Sequence, residues 1–431
     1  MASHLNIVGL SNKGLFQLNF EEPYEEKQLR DGATQNIRSV VVSPKGNYLA
    51  YRTDKKVEII KCIDWTLAAA IDGNVRDMFF SPMDTYLTVW EMFLITKDHP
   101  QGQPNLHVYS SSSGELVGSF VQKNQSGWHP KWSSDEKLFT IQSNSKILIY
   151  EDAKFDRYTH NVQAQNLQAF SVSPSVAPNY YLSVFTLGKS GQPAFWRIFK
   201  FPQFDVSHAL VSRSLFQADK ATFYWNRRGT NVFTMTQTDV DKTGGSYYGK
   251  QALSYGDVKG NGGNMTFSKE GPIHAIAWNP GNWNEWVAVY GHAPAKATLF
   301  NAKCDPLYDN RTYICLGCSW LQKVGYKFWH YTGVLMYKRS CEDKENLLSI
   351  CWRPGTYPKS ELSKSAPKGI AETTPKAEKR EARKARKAEE KAERGDTSPQ
   401  PPPPNTTNKA PFVSTGDPEK DKKIKNLNKR N

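Results

Sequence analysis

Residues Ser39 to Tyr51 read SVVVSPKGNYLAY, and Asp77 to Trp90 read DMFFSPMDTYLTVW. Each is an apolar strand, a Ser-Pro turn and a second apolar strand. Looser copies follow as PKWSSDEKLFTI (Pro130 to Ile141), FSVSPSVAPNYYLSVF (Phe170 to Phe185) and FYWNRRGTNVFTM (Phe223 to Met235). Two more are AIAWNPGNWNEWVAVY (Ala275 to Tyr290) and SICWRPG (Ser349 to Gly355). Most copies precede a third strand with alternating apolar positions: KVEIIK, NLHVY, KILIY, FWRIF, KATLF and YKFWHY. Alternation of period two marks strands with opposite faces, and the Pro-containing turn joins them as a hairpin.

Three or four such strands make a sheet too small to bury both faces by itself. Packed radially against similar sheets it can, which is the plan of a β-propeller. The residue before or in place of the Pro is Ser43, Ser81, Ser133, Ser173, Asn226, Asn279 or Arg353, at spacings of 38, 52, 40, 53, 53 and 74. The first five spacings are near or above the ~40–45 residues of a WD-type blade, whereas the last is too long for one blade. A β-sandwich with coincidental Ser-Pro turns is the competing arrangement. The fold expected is all-β, a WD-like propeller over residues 1–356.

Composition separates this body from the C-terminal segment. The 431 residues carry 56 Lys+Arg against 42 Asp+Glu, a net charge of +14, and all 12 Trp precede residue 353. Residues 357–431 hold 19 Lys+Arg, 11 Asp+Glu and two aromatics, Tyr357 and Phe412. That segment reads as a basic low-complexity tail. Within it a charged helix is expected at about 375–394, opened by Thr374-Pro375 and stopped by Gly395. DTSPQPPPPNTT then reads as a polyproline spacer, and a second basic helix begins over about 417–431. Neither helix has an apolar stripe to pack on the body. Exposed Lys and Arg neutralise phosphates and release counterions. The candidate nucleic-acid or ribosome contacts are therefore Lys376, Lys379, Arg380, Arg383, Lys384 and Arg386, with Lys387, Lys391, Lys420, Lys422, Lys423 and Lys425 beside them. A solvated charge run that only keeps the chain soluble is the plainer reading.

No apolar run approaches the ~20 residues that span a bilayer. The start, MASHLNIVGL, is not a convincing signal peptide. Six Cys in a chain of this size fit a reducing compartment, so the location expected is cytoplasmic. Three near-motifs share the loop TDVDKTGGSYYGKQ (Thr238 to Gln251). Asp241-Lys242-Thr243-Gly244 resembles a phosphorylated-aspartate motif without its continuation. Gly244-x4-Gly249-Lys250 resembles a P-loop, with Gln251 where a Ser/Thr hydroxyl should hold Mg²⁺. Asp239, Asp241, Thr243 and Gly244 fit a calcium loop whose last ligand would be Lys250. Each lacks the residue that does its chemistry, and a turn-rich loop is the better reading. Cys315 and Cys318 with Cys341 and Cys351 have poor spacing for zinc, and free thiols in strands are favoured. No catalytic residue, metal or cofactor is expected.

The chain also resembles a known family, eukaryotic translation initiation factor 2A. The strings that carry the resemblance are ADK (Ala218 to Lys220), FYWN (Phe223 to Asn226), TDVDKTGGSYYG (Thr238 to Gly249) and GPIHAIAWNP (Gly271 to Pro280). They continue as VYGHAPAKATLFNAKCDP (Val289 to Pro306), GYKFWHYTG (Gly325 to Gly333) and GDPEKDKKIKNL (Gly416 to Leu427). The resemblance implies a nine-bladed propeller and a flexible basic C-terminal region. It implies a factor that helps bind initiator methionyl-tRNA to the small ribosomal subunit without GTP on particular mRNAs, beside other translation factors and away from membranes. It also implies an internally shortened, C-terminally truncated form, because residues 307–324 depart from the family pattern and should fit neither blade strands nor family. The alternative function is a propeller adaptor that scaffolds protein complexes without direct RNA binding. A propeller hydrolase would need His and carboxylates clustered at one channel mouth, and the sequence offers none.

Overall fold

The computed structural model describes residues 6–354 apart from 20–22, 33–35, 124–128, 190, 239–248, 282, 311–325, 330–334 and 342–343. The chain divides into two compact units, residues 1–368 and 369–431, and the second lies outside the described residues.

The described residues form eight antiparallel sheets, seven of four strands and one of two. Blade 2 contains the strands Ser39–Val42, Tyr48–Arg52, Lys56–Lys61 and Leu67–Asp72. Blade 3 runs Val75–Phe80, Tyr86–Glu91, Leu106–Ser110 and Leu116–Phe120. Blade 4 is Lys131–Trp132, Leu138–Ser143, Lys146–Glu151 and His160–Gln163. Blade 5 is Leu167–Val172, Tyr181–Thr186, Ala194–Lys200 and Val211–Leu215. Blade 6 has Lys220–Trp225, Asn231–Gln237, Gln251–Asp257 and Gly262–Met265. Blade 7 has Ile273–Trp278, Trp286–Tyr290, Lys296–Phe300 and Pro306–Asn310. First strands of neighbouring blades adjoin, so they form the centre of the ring. All seven repeat signatures fall on a first strand and the turn after it.

Blade 1 joins the two ends of the body. Its innermost strand, Leu347–Trp352, pairs with Asn6–Ser11, matching Ile7 with Trp352 and Leu10 with Ser349. Gly14–Asn19 and Glu26–Asp31 complete that sheet. Strand pairing therefore holds the two ends of the body in one sheet.

The alternation of period two has a direct consequence in the core. Successive residues of one strand serve opposite neighbours: Leu49 packs with blade 1, and Ala50 with blade 3. Leu182 and Val184 face blade 4, while Phe185 faces blade 6. Seven hydrophobic clusters fill the junctions from blade 1 through blade 7, and from blade 8 to blade 1. The largest side chains sit there. Trp286 is stacked on Phe300 at 4.4 Å and lies 4.3 Å from Phe233 across the blade 6–blade 7 junction.

Two expectations are corrected. The sequence reading placed residues 307–324 outside blade strands, but Pro306–Asn310 is the fourth strand of blade 7, with Tyr308 opposite Leu299. Residues 311–325 lie outside the described set. YKFWHY, read as a third strand, instead supplies Tyr326–Trp329, which pairs with Leu335–Arg339 as the two-stranded blade 8. The described sheets number eight, in a chain that the resemblance implied to be shortened from the family's nine blades. Blade 8 packs on blade 1 through Tyr337 against Tyr24 at 4.9 Å and Arg339 Nε on Glu26 at 2.8 Å. Among the described residues no hydrophobic cluster joins blades 7 and 8. Val287, whose parity should face blade 8, is 36% exposed.

The turns carry more than chain reversal. In blades 2, 3 and 4 the first-turn serine accepts an amide five residues on: Tyr48 N to Ser43 Oγ, Tyr86 N to Ser81 Oγ and Leu138 N to Ser133 Oγ, each 2.9 Å. The fourth residue of the turn takes positive φ, as in Gly46, Asp84, Glu136 and Gly229. Where that residue is acidic it reaches the preceding blade. The buried Asp84 carboxylate accepts from Ser43 Oγ at 2.6 Å, Lys45 N at 2.8 Å and Asn47 N at 3.1 Å. Glu136 Oε1 likewise accepts from Met83 N at 2.6 Å. Gly46 is required for a different reason, since a Cβ there would lie 1.8 Å from Pro354 O of blade 1.

Asp84→Asn keeps the side chain's size and its tolerance of positive φ but replaces an acceptor-only carboxylate. It is expected to cost about 1.5–3 kcal/mol, the range for hydrogen bonds to a charged group. Urea denaturation checks this; an unchanged midpoint contradicts the latch.

Asp135 latches forward to blade 5, accepting from Ala177 N at 3.0 Å and Tyr180 Oη at 2.8 Å. Burial alone would raise its pKa. Hydrogen bonds from Ser133, the Ala177 amide and Tyr180 outweigh burial and hold it below the ordinary value of 3.8. A depressed carboxyl stabilises the fold above its unfolded-state pKa and loses that contribution as pH falls through the folded-state value. The destabilisation caused by Asp135→Asn is therefore expected to be full at neutral pH and to shrink below pH 3.8. Paired denaturation curves at neutral and acid pH give the test, and an equal loss at both would contradict it.

Candidate nucleic-acid interface

The twelve tail cations singled out from sequence all lie outside the described residues, so the described geometry brings none of them together. Cys315 and Cys318 also lie outside. Of the other two cysteines in the zinc reading, Cys341 is buried and Cys351 sits on a strand with Sγ 3.7 Å from Val8 O. Burial pushes the Cys62 thiol up to about 12, which suits a packing role in blade 2 over a reactive one. Among the described residues no three His, Cys, Asp or Glu converge as a metal site. No helix among them is long and apolar enough to cross a membrane.

Residues 239–248 of the near-motif loop are outside the described set, but its ends are placed. Lys250 N donates to Thr238 Oγ1 at 2.7 Å, closing the connection between the second and third strands of blade 6. Gln251 opens a strand, where a P-loop would open a helix with its N–H groups toward phosphate. Its Oε1 accepts from Ile273 N of blade 7 at 2.7 Å. The position that should hold Mg²⁺ instead joins two blades.

A shallow concavity lies where the first strands of blades 6 and 7 run into their turns. It is a groove of about 590 Å³, floored by Tyr224, Trp225 and Trp278 and edged by Arg227, Asn279 and Pro280. The sequence places these groups because each first strand ends in an aromatic residue immediately before its turn. Trp278 is fixed: Nε1 donates to Tyr224 O at 2.7 Å, and the ring stacks on Phe233 at 4.7 Å. Arg227 Nη1 donates to Pro280 O at 2.8 Å, and Asn226 Nδ2 to Asn284 Oδ1 at 2.9 Å, so the two turns are tied together. Arg228 and Trp283 project from the same turns into solvent, and Trp283 is 73% exposed. No carboxylate lines the groove. The sequence reading missed this site, although paired FYWN and AIAWN strings one blade apart were its visible signal.

A second basic group lies at the opposite strand ends of blades 2 and 3. There Arg38 makes a two-point pair with Asp54 at 2.9 and 2.8 Å. Arg52 donates to Val75 O at 3.2 Å, and its pKa is lowered, first by burial and then by Arg76.

Comparison with known proteins decides the family. Residues 213–313, which include the first strands of blades 6 and 7, match the family model described as "Eukaryotic translation initiation factor eIF2A". Proteins named eukaryotic translation initiation factor 2A match across eukaryotes. The Drosophila melanogaster protein is 29% identical, covering 84% of this chain and 68% of its own length. The Caenorhabditis elegans protein is 28% identical over 66% of this chain, and the Schizosaccharomyces pombe protein 30% identical over 68%.

This chain belongs to the eukaryotic translation initiation factor 2A family.

It spans 60% of the length of the C. elegans member and 51% of the S. pombe member. A solved structure described as a crystal structure of the eukaryotic initiation factor aligns with 82% of this chain and all of its own, at a TM-score of 0.68 and 23% identity. At that identity the likeness speaks for the fold, and it agrees with a family propeller.

Proposed function

We propose that this protein acts in translation initiation, helping to bind initiator methionyl-tRNA to the small ribosomal subunit without GTP on particular mRNAs. The observation that carries the reading is the family match across residues 213–313, supported by relatives named as initiation factors. The physical division of the chain supports it. The propeller, held by seven packed junctions and turn-to-turn latches, is a rigid docking surface. The tail, with Lys376 to Lys391 and Lys420 to Lys425, gives electrostatic reach to RNA. The strand that begins after Lys250, with Gln251 at the hydroxyl position, agrees with the independence of GTP that the family resemblance implies. Other translation factors and mRNA are proposed as partners, and the cytoplasm as the site of action.

The test is retention of labelled initiator methionyl-tRNA on purified small subunits, with and without the protein, in the absence of nucleotide. Stimulated retention supports the reading; no stimulation on any mRNA contradicts it. Capture of partners that survives RNase would favour the adaptor function instead.

A further inference from the structure

We propose that the groove at the turn end of blades 6 and 7, together with the exposed Trp283 on the turn that follows Pro280, docks single-stranded RNA. The proposal rests on the translation reading and assigns an RNA contact to the propeller body as well as to the tail. Trp283 is the most exposed tryptophan side chain of the described residues at 73%. Its turn is held: Asn279 N donates to Glu285 O at 2.8 Å, and Gly281 N to Asn279 Oδ1 at 2.8 Å. A Cβ on Gly281 would stand 3.8 Å from Trp283 Cδ1, and Asn279 and Pro280, which line the groove, open the same turn. An exposed indole on a held turn offers a π-face on which any unpaired base can stack.

The charges match that occupant. Arg228 is exposed and has no partner among the described residues, and Arg227 spends one nitrogen on Pro280 O. With no carboxylate in the lining, a phosphate backbone would meet cations on the rim and aromatic rings on the floor. That combination of basic edge and stacking platform is what sequence-tolerant single-strand binders use. A proline-rich peptide could use the aromatic floor, but it would leave both guanidinium groups unmatched. A duplex keeps its bases stacked on one another and could not use Trp283.

The experiment measures binding of a fluorescein-labelled oligouridylate to the full chain by anisotropy over a salt series, with an RNA duplex as control. Trp283→Ala is expected to weaken oligouridylate about tenfold, the effect of losing one base–aromatic stack, and to leave the duplex nearly unchanged. Arg228→Ala should reduce the log–log salt slope by about one, as for one lost phosphate contact. Trp283→Phe should restore most of the single-strand affinity. Both positions are exposed, so thermal unfolding should match the parent chain, and readings are taken also at high salt, where the tail is screened.

Equal losses for single strand and duplex overturn the proposal. So does a Trp283→Ala chain that binds oligouridylate like the parent, or a proline-rich peptide that occupies the groove while RNA does not compete. If the parent retains initiator tRNA on subunits and only the groove variants are silent, the groove assignment falls and the translation reading stands. If the parent binds neither RNA nor subunits, both fall.

Discussion

A chain lacking residues 1–31 is expected to show no cooperative unfolding transition. Those residues supply three of the four strands of blade 1, and Ile7, Val8, Leu10, Leu15, Phe16 and Leu18 are each no more than 1% exposed. Burying one such side chain is worth roughly 1.5–3 kcal/mol. Losing all six removes on the order of ten kcal/mol, comparable to the ~5–15 kcal/mol that holds a typical protein folded. The damage also spreads. Deletion opens the junctions on both sides of blade 1, leaving Leu347–Trp352 as a bare strand edge available for pairing with other chains. Circular dichroism and size-exclusion chromatography check this, with soluble aggregate as the expected product. A truncated monomer that melts within a few degrees of the parent would contradict closure through blade 1.

Removing residues 357–431 is expected to act in the opposite manner, sparing the fold and weakening RNA contact. The segment carries 19 of the 56 Lys+Arg residues and two aromatics, so it has charge to offer RNA and little to offer a core. Each phosphate neutralised contributes about 0.7–0.9 to the slope of log affinity against log salt. If roughly five or more contacts come from the tail, the shortened chain loses several units of slope. On that basis its affinity for RNA falls by at least about a hundredfold at low salt and by less at high salt. Filter binding across a salt series, with thermal unfolding in parallel, gives the comparison. An unchanged slope would move the RNA contact wholly onto the propeller.

The propeller was legible because its signal is local and repeated. Leu49 and Ala50, or Val232 and Phe233, alternate in sequence and face opposite neighbours in space. The Ser43, Ser81 and Ser133 turns announce themselves by residue type, since the hydroxyl accepts an amide five residues on. Closure was not legible. Asn6–Ser11 pairs with Leu347–Trp352, and no short-range pattern reports a partner so distant in sequence. Pro306–Asn310 was hidden because it runs into the stretch that departs from the family pattern, yet it lies on the outer edge of blade 7, where a Pro is tolerated. The latches of Asp84 and Asp135 were also hidden, because an acidic residue in a turn looks like ordinary surface until a neighbouring blade supplies the donors. The tail cations were read from composition and lie outside the described residues. The groove depends on two turns from different blades meeting through Arg227 and Pro280, which strand spacing alone does not announce.

Initiator methionyl-tRNA retention on purified small ribosomal subunits without nucleotide bears most closely on the proposed role in initiation. The comparison is between no factor, the full chain and the chain ending at residue 356. Clear stimulation by the full chain is expected, insensitive to added GTP and reduced when residues 357–431 are removed. No stimulation by the full chain, or stimulation that requires GTP, would contradict that role.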